Sequence, residues 1–269
     1  MAIRTRFAPS PTGRLHLGHA LAAKVAHNLA REAGGVFLLR HEDIDGPRVR
    51  EEFYQGIEDD LDWLGFRWDG EPLRQTTRAA AYAAALASLR EMGLVYPCYC
   101  TRREIQEEWA RMGAAPQGDE APIYPGTCRG REVEDAPFAW RLASAKASAL
   151  AGPLTFRDLR FGKIPVDARF SGDVVLARKD IGSAYHLAVV VDDAFQEITH
   201  ITRGEDLLPA THIHRLLQAV LDLPEPTYLH HRLMLDESGK RLAKRNDALA
   251  IATLRERGLS PEAVLAMVR

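Results

Sequence analysis

The chain has 269 residues, 46% hydrophobic and 27% charged, a composition typical of a globular protein with one large domain or one domain carrying an insertion. No apolar run approaches membrane-spanning length or has the form of a signal peptide, so we expect a cytoplasmic protein without a membrane partner. The net charge of −2 argues against broad coating of nucleic acid but is compatible with a local basic face.

The chain opens with a strand, a rigid turn and a helix. Arg4–Ala8 predicts a short strand, which Pro9 and Pro11 end because proline fixes φ and lacks an N–H group. Thr12–Gly13 permits a tight turn. The spacing of the apolar residues that follow predicts a helix as far as about residue 33.

The sequence His16-Leu17-Gly18-His19 lies where this helix begins. A helix N-terminus presents unpaired N–H groups and a positive dipole, so it attracts phosphate. The two imidazoles, three residues apart, share nearly one face, and Gly18 would let a purine or ribose approach the backbone closely. The alternative is a helix cap with two surface histidines.

Gly34-Gly35 predicts the end of the helix, and Val36–Arg40 predicts a second buried strand. Strand, helix and strand together form a βαβ unit, which indicates a parallel sheet. Glu42 comes just after this strand, at the sheet edge where open α/β folds bind ligands. We therefore interpret Glu42 as a carboxylate that holds a substrate ammonium group. The alternative is an acidic loop residue that precedes the next helix.

All three cysteines, Cys98, Cys100 and Cys128, fall within one short window. In a chain predicted to be cytoplasmic this does not indicate a disulfide framework, whereas thiolates are the usual ligands of structural zinc. Three thiolates leave one position of a tetrahedron open. Tyr124 lies four residues before Cys128, where a turn can bring both side chains to one metal. The alternative is three buried free cysteines.

Further elements are predicted from apolar runs and from the positions of glycine. The predicted helices are residues 51–64, 78–92, 211–221 and 261–268. The predicted strands are residues 138–142, 154–158, 162–164, 173–178, 185–192 and 198–202. The three strands between residues 138 and 164 are expected to finish an insertion between two halves of a nucleotide-binding fold.

Three stretches resemble the class I aminoacyl-tRNA synthetases in their glutamyl form: RFAPSPTGRLHLGH from Arg6, RHEDID from Arg40 and ITHITRGEDLL from Ile198. The resemblance implies an α/β fold, a Rossmann-type catalytic core with a zinc-binding insertion domain and a short helical C-terminus. The implied boundaries are 1–94 for the first half of the core, 95–170 for the insertion, 171–235 for the second half, and 236–269 for a signature loop and helical segment.

The resemblance also implies the roles of individual residues. The implied ATP-binding residues are Pro9, Thr12, Gly13, His16, Gly18, His19 and Lys244, of which His16, His19 and Lys244 are catalytic. The implied glutamate-binding residues are Arg6, Phe7, Ala8, Pro9, Ser10, Glu42, Tyr185 and Arg203. Two arginines suit the two carboxylates of glutamate, because guanidinium binds carboxylate bidentately and keeps its charge.

Lys240–Arg245 (KRLAKR) resembles the second signature of class I synthetases, Lys-Met-Ser-Lys-Ser. Lys244 retains the lysine that stabilises phosphate charge, while Ala243 lacks the hydroxyl of the serine that it replaces. The alternative is a solvated basic turn. In the insertion, four arginines are candidates for tRNA phosphate contacts or for a solvated face, namely Arg102, Arg103, Arg129 and Arg131.

The chain is most similar to the short glutamyl-synthetase-like proteins, which lack an anticodon-binding domain and use a tyrosine as fourth zinc ligand. This similarity implies one Zn²⁺ per chain, Mg²⁺ with ATP, and a monomer. It also implies that L-glutamate is activated to glutamyl-adenylate and transferred to queuosine at the wobble position of tRNA(Asp). The alternatives are a truncated enzyme that charges tRNA(Glu), a non-catalytic binding paralogue and a small-molecule adenylyltransferase.

Overall fold

The computed structural model describes residues 2–44, 46–111, 123–178, 182–234 and 250–268. The first part of the chain forms β1 (Arg4–Phe7), α1 (Leu17–Glu32), β2 (Val36–His41), α2 (Glu51–Trp63), β3 (Leu73–Arg74) and α3 (Ala79–Glu91). These elements agree with the predicted strand–turn–helix and βαβ pattern to within a few residues. No helix within the described ranges is both long and apolar enough to cross a membrane.

The remaining elements follow in two groups. The middle of the chain forms β4 (Val95–Cys98), α4 (Arg102–Arg111), β5 (Ala139–Leu142), α5 (Ser144–Ala151), β6 (Thr155–Asp158), β7 (Gly162–Pro165) and β8 (Val175–Ala177). The last part forms α6 (Tyr185–Phe195), β9 (His200–Gly204), α7 (Leu208–Val220), β10 (Thr227–His231), α8 (Ile251–Glu256) and α9 (Pro261–Met267).

Two sheets with parallel strands lie edge to edge and build the nucleotide-type fold. The first has the order β1-β2-β3, and the second has the order β7-β6-β10-β9. The Thr199 N–H group donates to the Arg4 carbonyl at 3.0 Å, which places β9 beside β1. The carboxyl ends of β1 and β9 therefore meet at one edge, where open α/β sheets bind ligands.

Helix α1 covers the first sheet with an apolar face. Its buried residues pack into a core shared with Phe7, Phe37 and Leu39 from the strands and with α2, α8 and α9. The three-to-four-residue spacing of its buried alanines and leucines is what the sequence pattern predicts. This packing fixes the helix N-terminus at the carboxyl end of β1.

The third sheet is antiparallel, with the order β4-β5-β8, and carries the cysteine cluster at one end. Strands β6 and β7 were expected to finish the insertion. In the structure they form an antiparallel pair with each other, and β6 joins β10 in the parallel sheet. The sheet pairing thus differs from that expectation, and the domain boundaries stay a prediction.

The prediction of a strand at residues 185–192 is wrong, because Tyr185–Phe195 forms helix α6. The run contains three consecutive valines, which favour a strand locally. It is buried on nearly every side, and a continuous apolar run cannot distinguish a buried strand from a buried helix. Strand β9 lies two residues later than predicted, and α7 begins three residues earlier.

Candidate active site

A cleft of about 740 Å³ opens at the edge where β1, β2, β9 and the N-terminus of α1 meet. Every residue predicted to bind ATP or glutamate within the described part of the chain lines it. These residues are Arg6, Phe7, Ala8, Pro9, Ser10, Thr12, Gly13, His16, Gly18, His19, Glu42, Tyr185 and Arg203. The structure therefore brings together groups that are up to 197 positions apart in the sequence.

The two histidines of the first motif form a reciprocal cap at the start of α1. The Gly18 N–H donates to His16 Nδ1 at 3.1 Å, and the His16 N–H donates to His19 Nδ1 at 3.2 Å. Their ring centroids lie 3.9 Å apart. His16 and His19 therefore cap the helix and also line the cleft, so a helix cap and a phosphate-binding site are compatible interpretations of this motif.

Gly18 is required by the packing of this cap. A Cβ atom at this position would lie 3.0 Å from His16 Cε1 and 3.2 Å from His16 Nδ1. Such a distance is shorter than ordinary van der Waals contact, so any side chain here would displace the His16 ring.

Arg6 and Arg40 share one buried carboxylate, Asp193 on α6. Arg6 donates from Nε at 2.8 Å and from Nη2 at 3.3 Å, and Arg40 donates from Nη1 at 2.7 Å. Arg40 also donates to Glu42 Oε1 at 3.2 Å. Although burial alone raises the pKa of Asp193, the two guanidinium groups lower it overall. These bonds, with a further one to the Thr202 carbonyl, fix the position of Arg6 in the lining of the cleft.

Arg203 is held differently, by neutral acceptors. Its Nε–H donates to His230 Nε2 at 3.2 Å, its Nη1 donates to His214 Nδ1 at 2.9 Å, and its Nη2 donates to the Thr211 hydroxyl. His230 Nδ1 in turn lies 2.7 Å from Asp158 Oδ2. The nearest carboxylate in this network is thus separated from the guanidinium by an imidazole.

The charges of the cleft complement an acidic amino acid. Arg6, Arg203 and Glu42 line the cleft, and the buried Arg40 and Asp193 are paired with Glu42 and Arg6, so these five groups carry three positive and two negative charges. Burial raises the pKa of Glu42, with Arg40 acting in the opposite direction. Free glutamate carries two carboxylates and one ammonium group, so its single net negative charge matches the excess positive charge of these five groups.

The second signature lies outside the described residues, and so does Lys244. The residues that flank it are described. Met234 and Ala250 both line the cleft, and Ala250 forms an antiparallel bridge with His16. The chain therefore leaves and re-enters the described structure beside the first motif.

The cysteine cluster brings four potential ligands together at one end of the antiparallel sheet. The Sγ atoms of Cys98, Cys100 and Cys128 lie within 4.8 Å of one another, and Cys100 Sγ is 3.4 Å from Cys128 Sγ. The Tyr124 hydroxyl lies 3.4 Å from Cys100 Sγ. Tetrahedral zinc with Zn–S bonds near 2.3 Å places sulfur atoms about 3.8 Å apart, so these separations fit the ion.

The protonation of the cluster is uneven. Burial raises the pKa of Cys100 to about 11. Burial acts in the same direction on Cys128, but hydrogen bonds, that from Tyr124 first, lower its pKa to about 7. Burial also raises the pKa of Tyr124, whose hydroxyl accepts a 2.9 Å bond from the Cys128 N–H. A metal ion would supply the positive charge that deprotonates the remaining ligands.

Sequence reasoning missed the residues that hold Arg6 and Arg203 in place. Arg40, which shares Asp193 with Arg6, is fully buried at the end of a strand predicted to be apolar, and a charged residue in such a strand indicates a buried partner. His214 and Asp158 gave no such signal, because lone polar residues in predicted helices and strands are usually exposed. His230 lies in β10, a strand that the sequence did not predict.

A parallel sheet with a helix N-terminus and a cleft lined by arginines at its carboxyl edge is the arrangement of a class I aminoacyl-tRNA synthetase core. The family model described as "tRNA synthetases class I (E and Q), catalytic domain" matches residues 2–269, and the chain belongs to this family.

Several curated proteins are similar along nearly the whole chain. The glutamyl-Q tRNA(Asp) synthetase of Rhodobacter capsulatus is 48% identical over 268 residues, which cover 96% of both chains. The protein of the same name from Nocardia farcinica is 45% identical and covers 98% of this chain, which spans 82% of that protein. The one from Deinococcus radiodurans is 44% identical over 99% of this chain and 88% of its own.

Solved structures show the same fold. The glutamate tRNA ligase of Elizabethkingia meningosepticum in complex with its amino acid superposes with a TM-score of 0.82 at 29% identity. The chain is covered completely and spans 60% of the length of that ligase. The methionyl-tRNA synthetase of Mycobacterium tuberculosis superposes with a TM-score of 0.61 at 12% identity, a likeness of fold alone.

Proposed function

We propose that this protein activates L-glutamate with ATP and transfers it to queuosine at the wobble position of tRNA(Asp). The observation that carries this proposal is the cleft with Arg6 and Arg203 facing one volume together with Glu42. Similarity to glutamyl-Q tRNA(Asp) synthetases along 96% of both chains supports the acceptor. The substrates proposed are therefore ATP, L-glutamate and a tRNA that contains queuosine.

In the amino-acid site, Arg203 binds the side-chain carboxylate of glutamate and Arg6 faces the α-carboxylate. Glu42 and Ser10 hold the ammonium group, and the Tyr185 hydroxyl adds a donor. Burial raises the pKa of Tyr185, with Arg203 acting against it, so the hydroxyl keeps its proton at neutral pH. These groups fix the nucleophilic carboxylate while the rest of the substrate cannot turn.

In the activation step, an oxygen of the α-carboxylate attacks the α-phosphorus of ATP, and pyrophosphate leaves. The N-terminus of α1 with His16 and His19 binds the phosphates on one side, and Lys244 binds them on the other. Mg²⁺ accompanies the ATP phosphates. Positioning and charge stabilisation account for this step, without a nucleophilic side chain.

The cysteine cluster is proposed to hold one structural zinc ion, with Cys98, Cys100, Cys128 and Tyr124 as ligands. The distances between the sulfur atoms and the position of the phenol support this assignment. The ion would supply a cross-link between the end of β4 and the segment around Cys128, and it would take no part in catalysis.

Amino-acid-dependent exchange of pyrophosphate into ATP tests the activation step. We expect exchange with glutamate, and rates lower by about tenfold or more with aspartate and glutamine. Aspartate is one methylene shorter than glutamate, and glutamine lacks the side-chain charge that Arg203 binds. Exchange that is equal for all three amino acids, or absent with glutamate, would refute the proposed activity.

A further inference from the structure

The two arginines of the amino-acid site differ in how their charges are balanced. Arg6 forms two hydrogen bonds with Asp193, a carboxylate in direct contact. Arg203 contacts no carboxylate among the described residues, and it donates hydrogen bonds to His214, His230 and the Thr211 hydroxyl. Arg203 therefore keeps an unbalanced positive charge at the cleft.

The hydrogen bonds fix the protonation of the histidines. A guanidinium group only donates, so His214 Nδ1 and His230 Nε2 must both be unprotonated acceptors. Each ring then carries its proton on the other nitrogen. His230 Nδ1–H donates to Asp158 at 2.7 Å, and His214 Nε2–H donates to His186 Nδ1 at 3.1 Å. One consistent pattern of donors thus runs through the whole network.

The environment keeps these histidines neutral. Burial, and then the positive charge of Arg203, lower the pKa of His230 to about 4 and the pKa of His186 to about 4. The same two causes lower the pKa of His214 well below its ordinary value. If His214 or His230 were protonated on both ring nitrogens, one of its N–H groups would face an N–H group of Arg203.

The contacts also leave donors for a ligand. Guanidinium has five N–H groups, and three of them bind His230, His214 and Thr211. One N–H group remains on each terminal nitrogen. The network consists of Arg203, His214, His230, Thr211, Asp158 and His186, and of these six residues only Arg203 lines the cleft. The histidines therefore act on a ligand through the arginine.

We propose, on the basis of glutamate activation as the proposed function, that His214 is a positioning residue that sets selectivity for glutamate over glutamine. It orients Arg203 with a neutral acceptor, so that the full guanidinium charge is available to the substrate carboxylate. A carboxylate at this position would bind Arg203 equally well but would cancel its charge. Glutamine, whose side-chain amide is neutral, would lose much less than glutamate.

The test is a matched pair of variants, His214→Asn and His214→Asp. Each places an oxygen acceptor near the position of Nδ1, and the two differ in charge but hardly in shape. The aspartate would be ionised because it contacts Arg203. The KM values for glutamate, glutamine and ATP are measured by pyrophosphate exchange, together with the thermal unfolding midpoint of each variant.

His214→Asn should keep the KM for glutamate within about fivefold of the parent, because only the bond to His186 is lost. His214→Asp should raise this KM on the order of 100-fold, since a desolvated charge pair is lost, with the KM for ATP unchanged. The ratio of kcat/KM for glutamate to that for glutamine should fall to a similar extent. If His214 served only folding, the substitution would leave this ratio unchanged and would not raise the KM for glutamate without also changing the KM for ATP.

Equal KM values for glutamate in the two variants would overturn the inference. The pair Thr211→Asn and Thr211→Asp, which places the same change beside the other terminal nitrogen of Arg203, gives an independent comparison if either His214 variant fails to fold. If the unaltered protein shows no exchange with glutamate, the proposed function itself fails. If the unaltered protein does show exchange with glutamate, and the asparagine and aspartate variants have the same KM for glutamate, only the role of His214 is refuted.

Discussion

His230 lies directly opposite Arg203 on the neighbouring parallel strand, and its Nε2 atom accepts a 3.2 Å hydrogen bond from the Arg203 Nε–H. The His230 ring is itself anchored to Asp158 at the end of β6. The direction of the guanidinium group is therefore set by the register of a sheet rather than by a loop. Sites on regular elements hold their geometry better than sites on loops.

Replacing Arg203 should remove glutamate activation while ATP still binds. In Arg203→Ala we expect kcat/KM for glutamate to fall on the order of 100-fold or more, because a substrate carboxylate is left without its partner in a desolvated pocket. Pyrophosphate exchange gives this value, and equilibrium dialysis gives the affinity for ATP. Arg67→Ala, at a side chain that is 83% exposed, is the control. Near-normal exchange in Arg203→Ala would disprove the pocket assignment.

Adding a methyl group at position 18 should damage the nucleotide site selectively. Gly18→Ala places a Cβ atom 3.0 Å from His16 Cε1, so the ring must shift and kcat/KM for ATP should fall by about tenfold. Gly56→Ala is the matched control, because a Cβ atom there meets nothing within 4 Å and lies in helix α2. Steady-state kinetics with ATP varied would detect the difference. Equal values for both variants would show that the His16 ring has no part in nucleotide binding.

Removing the carboxylate shared by Arg6 and Arg40 should destabilise the fold. We expect Asp193→Asn to lower the free energy of unfolding by about 3–5 kcal/mol, since the buried Arg6 loses its carboxylate partner and the buried Arg40 keeps only Glu42. Urea denaturation at pH 7 measures this loss. The exposed variant Asp62→Asn should change stability by less than about 0.5 kcal/mol.

The ion pairs of Asp193 with Arg6 and Arg40 also predict how the stability of the fold depends on pH. The pKa of Asp193 is lowered from its ordinary value of 3.8 in the folded protein. Its stabilising contribution is therefore fully present above that ordinary value and is lost as the pH falls through the lowered one. The difference in stability between the parent and Asp193→Asn should be the same at pH 7 and pH 5. A difference that disappears already at pH 5 would contradict this assignment.

Zinc should be present at one ion per chain and should stabilise the region locally. Chelation should increase hydrogen exchange in β4 and around Cys128, and it should leave the protection of α1 and β1 unchanged, because the cysteines and the residues of α1 and β1 belong to separate packing clusters. Metal analysis by mass spectrometry gives the stoichiometry. Tyr124→Phe, which keeps the ring and removes only the hydroxyl, should lower the zinc affinity. Protein that contains no zinc after purification with the metal, and three freely titrating thiols, would refute the site.

Local features of the fold were predictable where proline and glycine mark the ends of elements. Pro9 and Pro11 end β1, and Gly65 and Gly93, both at positive φ, follow α2 and α3. The helical conformation of the buried run at residues 187–190 was not predictable, because its valines favour a strand and only the surrounding contacts make it a helix. Propensity is weak beside tertiary packing.

The site shows the same division. The residues that the sequence predicted to bind ATP or glutamate line the cleft as far as they are described, and most of them lie in short motifs. The residues that support them were not predicted, because the pair Arg6 and Asp193 is separated by 187 positions and no local pattern connects them. The same holds for Arg203 and its histidines, whose pairing depends on the order of strands β9 and β10.

The acceptor of the activated glutamate tests the central claim most directly. Labelled glutamate, ATP and the protein are incubated with tRNA(Asp) that contains queuosine, with tRNA(Asp) that has guanosine at the wobble position, and with tRNA(Glu). We predict label on the first tRNA alone, retained in its anticodon loop fragment after nuclease digestion. Label on the 3′-terminal adenosine of tRNA(Glu) would contradict the account and would make the protein a tRNA(Glu)-charging enzyme.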